Sequence, residues 1–154
     1  MKITYLDKQL FLSIFEIIQE ASLRYAESAP DYKHEAGLVA FKGVCERIKE
    51  DDYYPDIFSK SAYLFLSIAK GHFFSNGNKR LAVASMFAFL LLNSYKINEK
   101  NATKVAQKFI KDHKISHRLF FYHLAKFAVC SQKDFDTLKT VIKNILQDVF
   151  EKGN

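Results

Sequence analysis

The chain has 154 residues, 49% of them hydrophobic, which is enough apolar material for the buried core of one domain. Its five Gly and two Pro are too few for a turn-rich β-sandwich and too few for a disordered chain. Lys and Arg outnumber Asp and Glu by 23 to 17, and the net charge of +6 favours anionic partners such as nucleotides, nucleic acids and acidic protein surfaces.

The helical period of the apolar residues predicts seven helices with short links. They cover residues 7–29, 38–50, 57–70, 77–93, 101–111, 116–129 and 135–149. Pro30 ends the first helix, and Gly71 is expected to end the third in the left-handed conformation. Asn101 and Ser116 are the expected N-caps of the fifth and sixth helices, and residues 131–134 resemble a capping box before the last.

Residues 32–37 show no period and are predicted to form a loop. The helix that starts at residue 77 or 78 is apolar on most faces from Leu81 onward, so we expect it at the centre of the fold. With no repeat and no internal linker, the sequence indicates one all-α domain over residues 1–154.

The N-terminal segment carries charges inside its apolar stretch and has no small-residue cleavage site, so it does not resemble a secretory signal. The longest apolar run, residues 81–92, is shorter than the roughly 18 residues needed to cross a bilayer. We therefore expect a cytoplasmic protein that does not associate with membranes. Cys45 and Cys130 stand far apart and are expected to be small core residues, not a disulfide or a zinc site.

Residues 71–80, GHFFSNGNKR, place a short polar loop directly before a strongly apolar helix. The first N–H groups of a helix lack internal partners and carry the positive end of its dipole, so they form an anion site. Gly77 would let a phosphate approach the backbone closely, and Asn78 could hydrogen-bond the loop. Lys79 and Arg80 add cations to a turn in which the dipole prefers acidic side chains. The segment therefore predicts a phosphate site.

His72 lies on the loop side of this predicted site. An imidazole with an ordinary pKa near about 6.5 can accept a proton from a hydroxyl group at neutral pH, which suits a general base. Phe74 is expected to point inward and hold the loop against the core. The remaining histidines are assigned structural or surface roles: His34, His113, His117 and His123.

The string from His72 to Arg80 resembles the signature of the Fic/Doc family, HxFx(D/E)GN(G/K)R. The wider resemblance to the family covers about residues 57–97. Lys before the final Arg is typical of the Doc (death-on-curing) branch. The resemblance implies an all-helical fold and an enzyme that transfers part of a nucleoside triphosphate, ATP with Mg²⁺, to a hydroxyl group of a target protein. His72 would be the general base, and the nucleotide phosphates would contact Asn76, Gly77, Asn78, Lys79 and Arg80.

The resemblance also implies a flap between early helices that docks the target segment, here Tyr32, Lys33, His34 and Glu35. No Ser or Thr is followed four residues later by Glu, so the family's inhibitory helix pattern is absent from the sequence. We therefore expect a separate small antitoxin protein as a partner.

Two positions depart from the signature. Asn76 replaces the acidic residue that holds Mg²⁺, and its neutral oxygen predicts weak metal binding. Val83 replaces the second Arg of adenylylating members, which also carry Gly where this chain has Lys79. The differences at Val83 and Lys79 favour phosphorylation of the Doc type, whose target is an elongation factor that delivers aminoacyl-tRNA.

Three alternatives stay open from the sequence. The first is transfer of AMP, and the second is a protein that binds a nucleotide or a partner without turnover, which Asn76 favours. The third is a basic nucleic-acid-binding module, because lysines recur at helical spacing at positions 100, 104, 108 and 111. No base-stacking aromatic residues accompany these lysines, so nucleic acid is not the expected partner.

Overall fold

A computed structural model describes residues 2–24, 30–109 and 117–153. Seven helices and two short strands follow one another in this part of the chain. They are α1 Lys8–Arg24, α2 Glu35–Arg47, α3 Ile57–Lys70, α4 Asn78–Leu92, β1 Tyr95–Ile97, α5 Glu99–Phe109, α6 His117–Cys130, α7 Phe135–Val149 and β2 Phe150–Lys152. The predicted all-α class and the seven helices are confirmed, whereas the single-domain assignment stays a prediction.

The centre of the fold is formed by α3 and α4. Eleven residues of α3 are buried, because this helix packs against α4, α6 and α7 on different faces. On α4, Leu81, Met86 and Phe89 are completely buried, as the apolar sequence of that helix predicts. The loop that joins α3 to α4, residues 71–77, is therefore held at both ends by the most buried helices of the protein. We call it the α3–α4 loop.

The two strands were not predicted. They pair antiparallel, with Tyr95 opposite Lys152 and Ile97 opposite Phe150. Phe150 is buried and its ring contacts Phe87 of α4 and Phe121 of α6 at centroid distances of 5.5 and 6.0 Å. Strands of three residues are too short to show an alternating pattern, and their pairing joins segments more than fifty residues apart.

Two predicted helix starts are corrected by the caps, whereas the predicted start of α7 at Phe135 is confirmed. Helix α2 begins at Glu35, not at residue 38, because His34 Nδ1 accepts a hydrogen bond from Gly37 N at 3.3 Å. Helix α5 begins at Glu99, and its cap is Asn98, whose Oδ1 accepts from Asn101 N. At α7 the cap is Asp134, which accepts from Thr137 N at 2.8 Å. The predicted cap Ser116, the end of the fifth predicted helix and the last turn of the first lie outside the described residues.

The link between α2 and α3 is fastened by a lysine with no exposed surface. Lys60 Nζ donates to the carbonyl oxygen of Ile48 at 2.6 Å and to Asp51 Oδ1 at 2.7 Å. Asp51 itself is largely exposed, so the ion pair reaches the surface at one end. Burial of a lysine is tolerable only with such partners.

The two cysteines occupy different environments. Cys45 is buried in α2, and burial raises the pKa of its thiol to about 12. Cys130 is exposed at the end of α6. The expectation of a core cysteine is therefore correct for Cys45 and wrong for Cys130. No helix among the described residues has the length and apolar character that crossing a membrane requires.

Candidate active site

The backbone turns sharply at His72. Gly71 keeps helical angles, with φ of −78° and ψ of −13°, so the expectation that it takes the left-handed conformation is wrong. His72 takes that conformation instead, with φ of 52°. A residue with a side chain is strained there, and such strain concentrates at functional sites. The turn leaves the exposed imidazole at the surface, immediately after the buried end of α3.

The α3–α4 loop is anchored by Phe74, as predicted. This ring is buried and packs edge-on against Tyr32 and Phe15, with centroid distances of 5.0 and 6.3 Å. Asn78 closes the loop with two hydrogen bonds: its Oδ1 accepts from Phe74 N at 3.1 Å, and its Nδ2 donates to Phe74 O at 2.7 Å. The predicted hydrogen bonding of the loop by Asn78 is thereby confirmed.

The segment before α2 supports the same loop from the other side. The Tyr32 hydroxyl group donates to Gly77 O at 3.0 Å, and Tyr32 stacks on Phe15 at 4.7 Å. Helix α2 comes so close that a Cβ at Gly37 would lie 2.6 Å from the ring of Phe74. Burial raises the pKa of the Tyr32 hydroxyl, which the charge of Arg80 opposes.

Tyr32 is the first residue of the predicted target-docking flap. Its side chain is 2% exposed and supports the α3–α4 loop through the hydrogen bond to Gly77 O. Lys33, His34 and Glu35 are exposed, and their role in docking a target stays a prediction. His34 also caps α2, in agreement with the structural role assigned to it.

The N-terminus of α4 differs from the other helix starts. Asp7, His34, Asp56, Asn98 and Asp134 each accept a hydrogen bond from a first-turn N–H group of α1, α2, α3, α5 and α7. At α4 the N-cap residue is Gly77, which offers no side-chain hydrogen bond. Among the six helices whose preceding residue the structure describes, α4 alone lacks such a side-chain cap, and a helix start of this kind can bind an external anion.

Glycine occupies position 77 for a different structural reason from the one predicted. Its φ of 76° is left-handed, and a Cβ would collide with Pro30 and come within 2.6 Å of the Tyr32 hydroxyl oxygen. The space that a side chain would fill is therefore occupied by the protein, not left open for a phosphate. Glycine is required here by the turn and by the close packing of residues 30–32.

A cleft of about 310 Å³ opens at this helix start. It is lined by Ala69, His72, Ser75, Asn76, Gly77, Asn78, Lys79, Arg80, Tyr122 and Val129. All six residues that the sequence predicted for catalysis and phosphate binding are thus brought together in one cavity, which we call the α4 cleft. Tyr122 and Val129 of α6 were missed because a contact across forty residues leaves no local sequence signal.

The chemistry of the α4 cleft fits a nucleotide phosphate better than a protein-bound metal ion. Two cations and the first turn of α4 line the cleft together, and both kinds of group attract an anion. None of the described residues that line the cleft is Asp or Glu, and Asn76 offers a neutral oxygen at the position that the signature reserves for a metal ligand. Nowhere in the described residues do three His, Cys, Asp or Glu side chains come together. The residues present therefore do not fit a protein-held Mg²⁺ ion.

Two further sequence features can now be placed. Val83, where adenylylating members carry a second Arg, is buried in α4 and contributes to the core. Lys100, Lys104 and Lys108 are exposed along α5, whereas Lys111 lies outside the described residues. Lys100, Lys104 and Lys108 do not line the α4 cleft.

These observations define an all-α protein whose central helix begins at a cleft that contains a histidine and two cations. The model of the Fic/DOC family matches residues 3–90, more than half of the chain, and the protein belongs to that family. Membership indicates a transferase that modifies proteins. The match extends well before residue 57, where the resemblance seen in the sequence began, and so includes α1 and Tyr32. Comparison with curated proteins and with solved structures gives no significant match.

Proposed function

We propose that this protein transfers a phosphate group from a nucleoside triphosphate, such as ATP, to a hydroxyl side chain of a target protein. One observation carries the proposal: an uncapped helix N-terminus, two cations and His72 share the α4 cleft. An anion and a proton acceptor are needed together for phosphoryl transfer to an alcohol.

Each residue then has a distinct role. The target hydroxyl group attacks the terminal phosphorus, and its proton passes to the imidazole of His72. The bond between this phosphorus and the bridging oxygen breaks, and the nucleoside diphosphate leaves. Lys79 and Arg80 neutralise charge on the transferring and leaving phosphates, and N–H groups of the first turn of α4 fix their position. Because His72 is exposed, it can return its proton to solvent.

Phosphate transfer is favoured over AMP transfer by the residues on α4. AMP transfer requires the α- and β-phosphates to be held along the helix, a task of the second Arg in adenylylating members. Here that position is Val83, which is buried and carries no charge. Lys79 adds a second cation beside Arg80 in the first turn of α4, which suits a terminal phosphate bound at the start of this helix.

A second candidate function is nucleotide or partner binding without turnover. The described part of the chain supplies no carboxylate to the lining of the α4 cleft, which favours this candidate. A metal ion that assists catalysis would then depend on the phosphates of the nucleotide for its ligands. Restoring an acid with Asn76→Asp tests this alternative: a variant that gains transfer above the wild-type level supports it.

For partners, we propose an acidic surface on the target, for which an elongation factor that delivers aminoacyl-tRNA is the first protein to test. We also propose a small antitoxin protein that covers the α4 cleft, and a cytoplasmic location for the reaction. The net charge of +6 and the cations of the cleft support an acidic partner.

The experiment uses purified protein, cell lysate and purified elongation factor, with ATP labelled at either the γ- or the α-phosphate. We expect label from the γ-position alone. His72→Ala should abolish transfer, whereas the matched variant His123→Ala, an exposed histidine of α6 outside the cleft, should retain it.

Label from the α-position would establish AMP transfer and contradict the proposal. Equal transfer by wild type and His72→Ala would remove His72 as the base. Nucleotide binding without label in any arm would favour the second candidate. Arg80→Ala should weaken ATP binding, and Lys104→Ala on α5 is its control, because that lysine is exposed and distant from the cleft in sequence.

A further inference from the structure

A second cavity lies between α2 and α3 and is larger than the α4 cleft. Its volume is about 480 Å³, within the range of about 300–1,000 Å³ that is usual for ligand sites. The residues that line this cavity include Gly43, Val44, Arg47, Lys70, Phe73 and Phe135. We call it the α2–α3 groove.

The α2–α3 groove and the α4 cleft share the α3–α4 loop as a wall. Gly71 and Phe73 line the groove, whereas His72, the residue between them, lines the cleft. A polypeptide segment that left the groove over this loop would pass the imidazole within a few residues. The groove is thus placed to hold a part of a substrate that is not itself modified.

Two cations in the groove are fixed by neutral acceptors. Arg47 Nη1 donates to the hydroxyl oxygen of Tyr63 at 2.8 Å, and Lys70 Nζ donates to the carbonyl oxygen of Ala128 at 2.9 Å. Tyr63 is itself buried and packs against Phe135 at a centroid distance of 5.7 Å. Such support holds a cation in position for an incoming anion without forming an ion pair that must first be broken.

No carboxylate among the described residues forms an ion pair with Arg47 or Lys70. Glu50 contributes to the raised pKa of Arg47, though less than the hydrogen bond to Tyr63 does. The ion pairs of the neighbouring elements are formed with other lysines: Glu46 with Lys49, Asp51 with Lys60, Asp56 with Lys143 and Asp136 with Lys139. The groove therefore combines apolar walls with cations that lack a carboxylate partner.

The wall formed by α2 is open at one glycine. A Cβ at Gly43 would meet no atom within 4 Å, so the surface there is free to receive a side chain from another molecule. Val44 and Phe73 lie beside this opening as apolar contacts.

We propose that the α2–α3 groove binds an acidic segment of the protein substrate, with an apolar or aromatic side chain over Gly43 and a carboxylate at Arg47 and Lys70. This inference rests on the proposed function, since it names the class of substrate that the enzyme holds beside His72. Cations next to apolar walls recognise such a segment through charge-assisted hydrogen bonds and buried apolar surface.

The test measures binding directly, by fluorescence anisotropy of a fluorescein-labelled random copolymer of glutamate and tyrosine. Arg47→Gln removes a cation from the groove, and Gly43→Leu fills the groove at a helix position where a larger side chain has room. We expect each variant to weaken binding about tenfold, as the loss of a hydrogen bond to a charged group or of a site for a side chain would. Lys104→Gln on α5 is the control and should bind like wild type.

Gly43→Leu keeps the proposal falsifiable, because leucine favours a helix more than glycine does and the variant should fold at least as well as wild type. Equal affinity of wild type, Arg47→Gln and Gly43→Leu would overturn the proposal. Loss of binding in Arg80→Ala with normal binding in Arg47→Gln would place the copolymer in the α4 cleft and would overturn it too.

A parallel assay of γ-phosphate transfer to the copolymer separates the two proposals. His72→Ala should lose transfer and keep affinity, whereas Gly43→Leu should lose both. If binding depends on the groove and no nucleotide supports transfer by the wild-type protein, the groove assignment stands and the proposed transfer fails.

Discussion

Replacing a glycine by alanine should have opposite effects at Gly77 and Gly43. At Gly77 the backbone is left-handed, which costs a residue with a Cβ about 1–2 kcal/mol. The added carbon also displaces Tyr32, whose hydroxyl group donates to Gly77 O, and the loss of that bond costs about 0.5–1.5 kcal/mol. Gly77→Ala should therefore lower the free energy of unfolding by about 1.5–3.5 kcal/mol.

Gly43→Ala is the matched control, since it makes the same chemical change inside α2 with nothing near the new carbon. There alanine should raise the free energy of unfolding by about 0.5–1 kcal/mol, because it favours the helix and restricts the unfolded chain. Urea unfolding followed by circular dichroism measures both. With a slope of about 2 kcal/mol per molar urea, the midpoint of Gly77→Ala should fall by about 1–2 M.

A decrease of less than about 0.5 kcal/mol in the free energy of unfolding of Gly77→Ala would contradict this prediction, since replacing a closely packed left-handed glycine should cost more than that. The prediction would be contradicted equally if Gly43→Ala were destabilising, because the groove would then be closed in solution. A Gly77→Ala protein that remains folded should also bind ATP more weakly, as the carbonyl and N–H groups at the start of α4 would shift.

Three other predictions concern buried side chains. Phe74→Ala should lower the free energy of unfolding by about 3–5 kcal/mol, measured by urea unfolding, because its buried ring leaves a cavity. Lys60→Met should cost about 1–3 kcal/mol in the same assay, because the Ile48 carbonyl group loses its lysine partner while the side-chain volume is kept. In the folded protein at pH 8, a thiol reagent should modify Cys130 and not Cys45, whose thiol is buried and whose pKa is raised to about 12.

Each of these has a control within the chain. Phe127→Ala, at a half-exposed ring of α6, should cost much less than Phe74→Ala, and equal losses would mean that Phe74 does not hold the loop. Lys49→Met, at an exposed ion pair, should change stability by less than about 1 kcal/mol, and a larger loss than that of Lys60→Met would contradict the role of burial. Modification of two thiols per chain before unfolding would contradict the placement of Cys45.

The helices that pack in the centre were predictable from sequence because their signals are local and agree with one another. For α3 the apolar stripe, the preceding aspartate and the following glycine all give the same boundaries, and the structure has them at Ile57 and Lys70. For α2 the cap is a histidine, a residue outside the usual capping set, so the helix was predicted to start three residues late.

The candidate site was predictable where its residues are consecutive and was not where they come from distant segments. The string from residue 72 to residue 80 predicts the α4 cleft, because the histidine, the glycine and the two cations all come from the α3–α4 loop and the first turn of α4. Tyr122 reaches the cleft from α6, and Tyr32 supports the loop from before α2, and neither contact has a sequence period or spacing. Gly71 was expected to take the left-handed conformation, and His72 takes it instead. This difference also depends on packing that the sequence does not display.

The attachment of the α3–α4 loop has a consequence for how this site is controlled. The ring of Phe74 is buried, and the side chain of Asn78 forms hydrogen bonds with both the N–H and the carbonyl group of Phe74. The loop therefore cannot open without disturbing the core. The Phe74 amide hydrogen should therefore exchange with deuterium only in global unfolding events, at a rate close to those of the α3 core. Activity that depends on such a rigid loop is switched more readily by obstructing the cleft than by reshaping it.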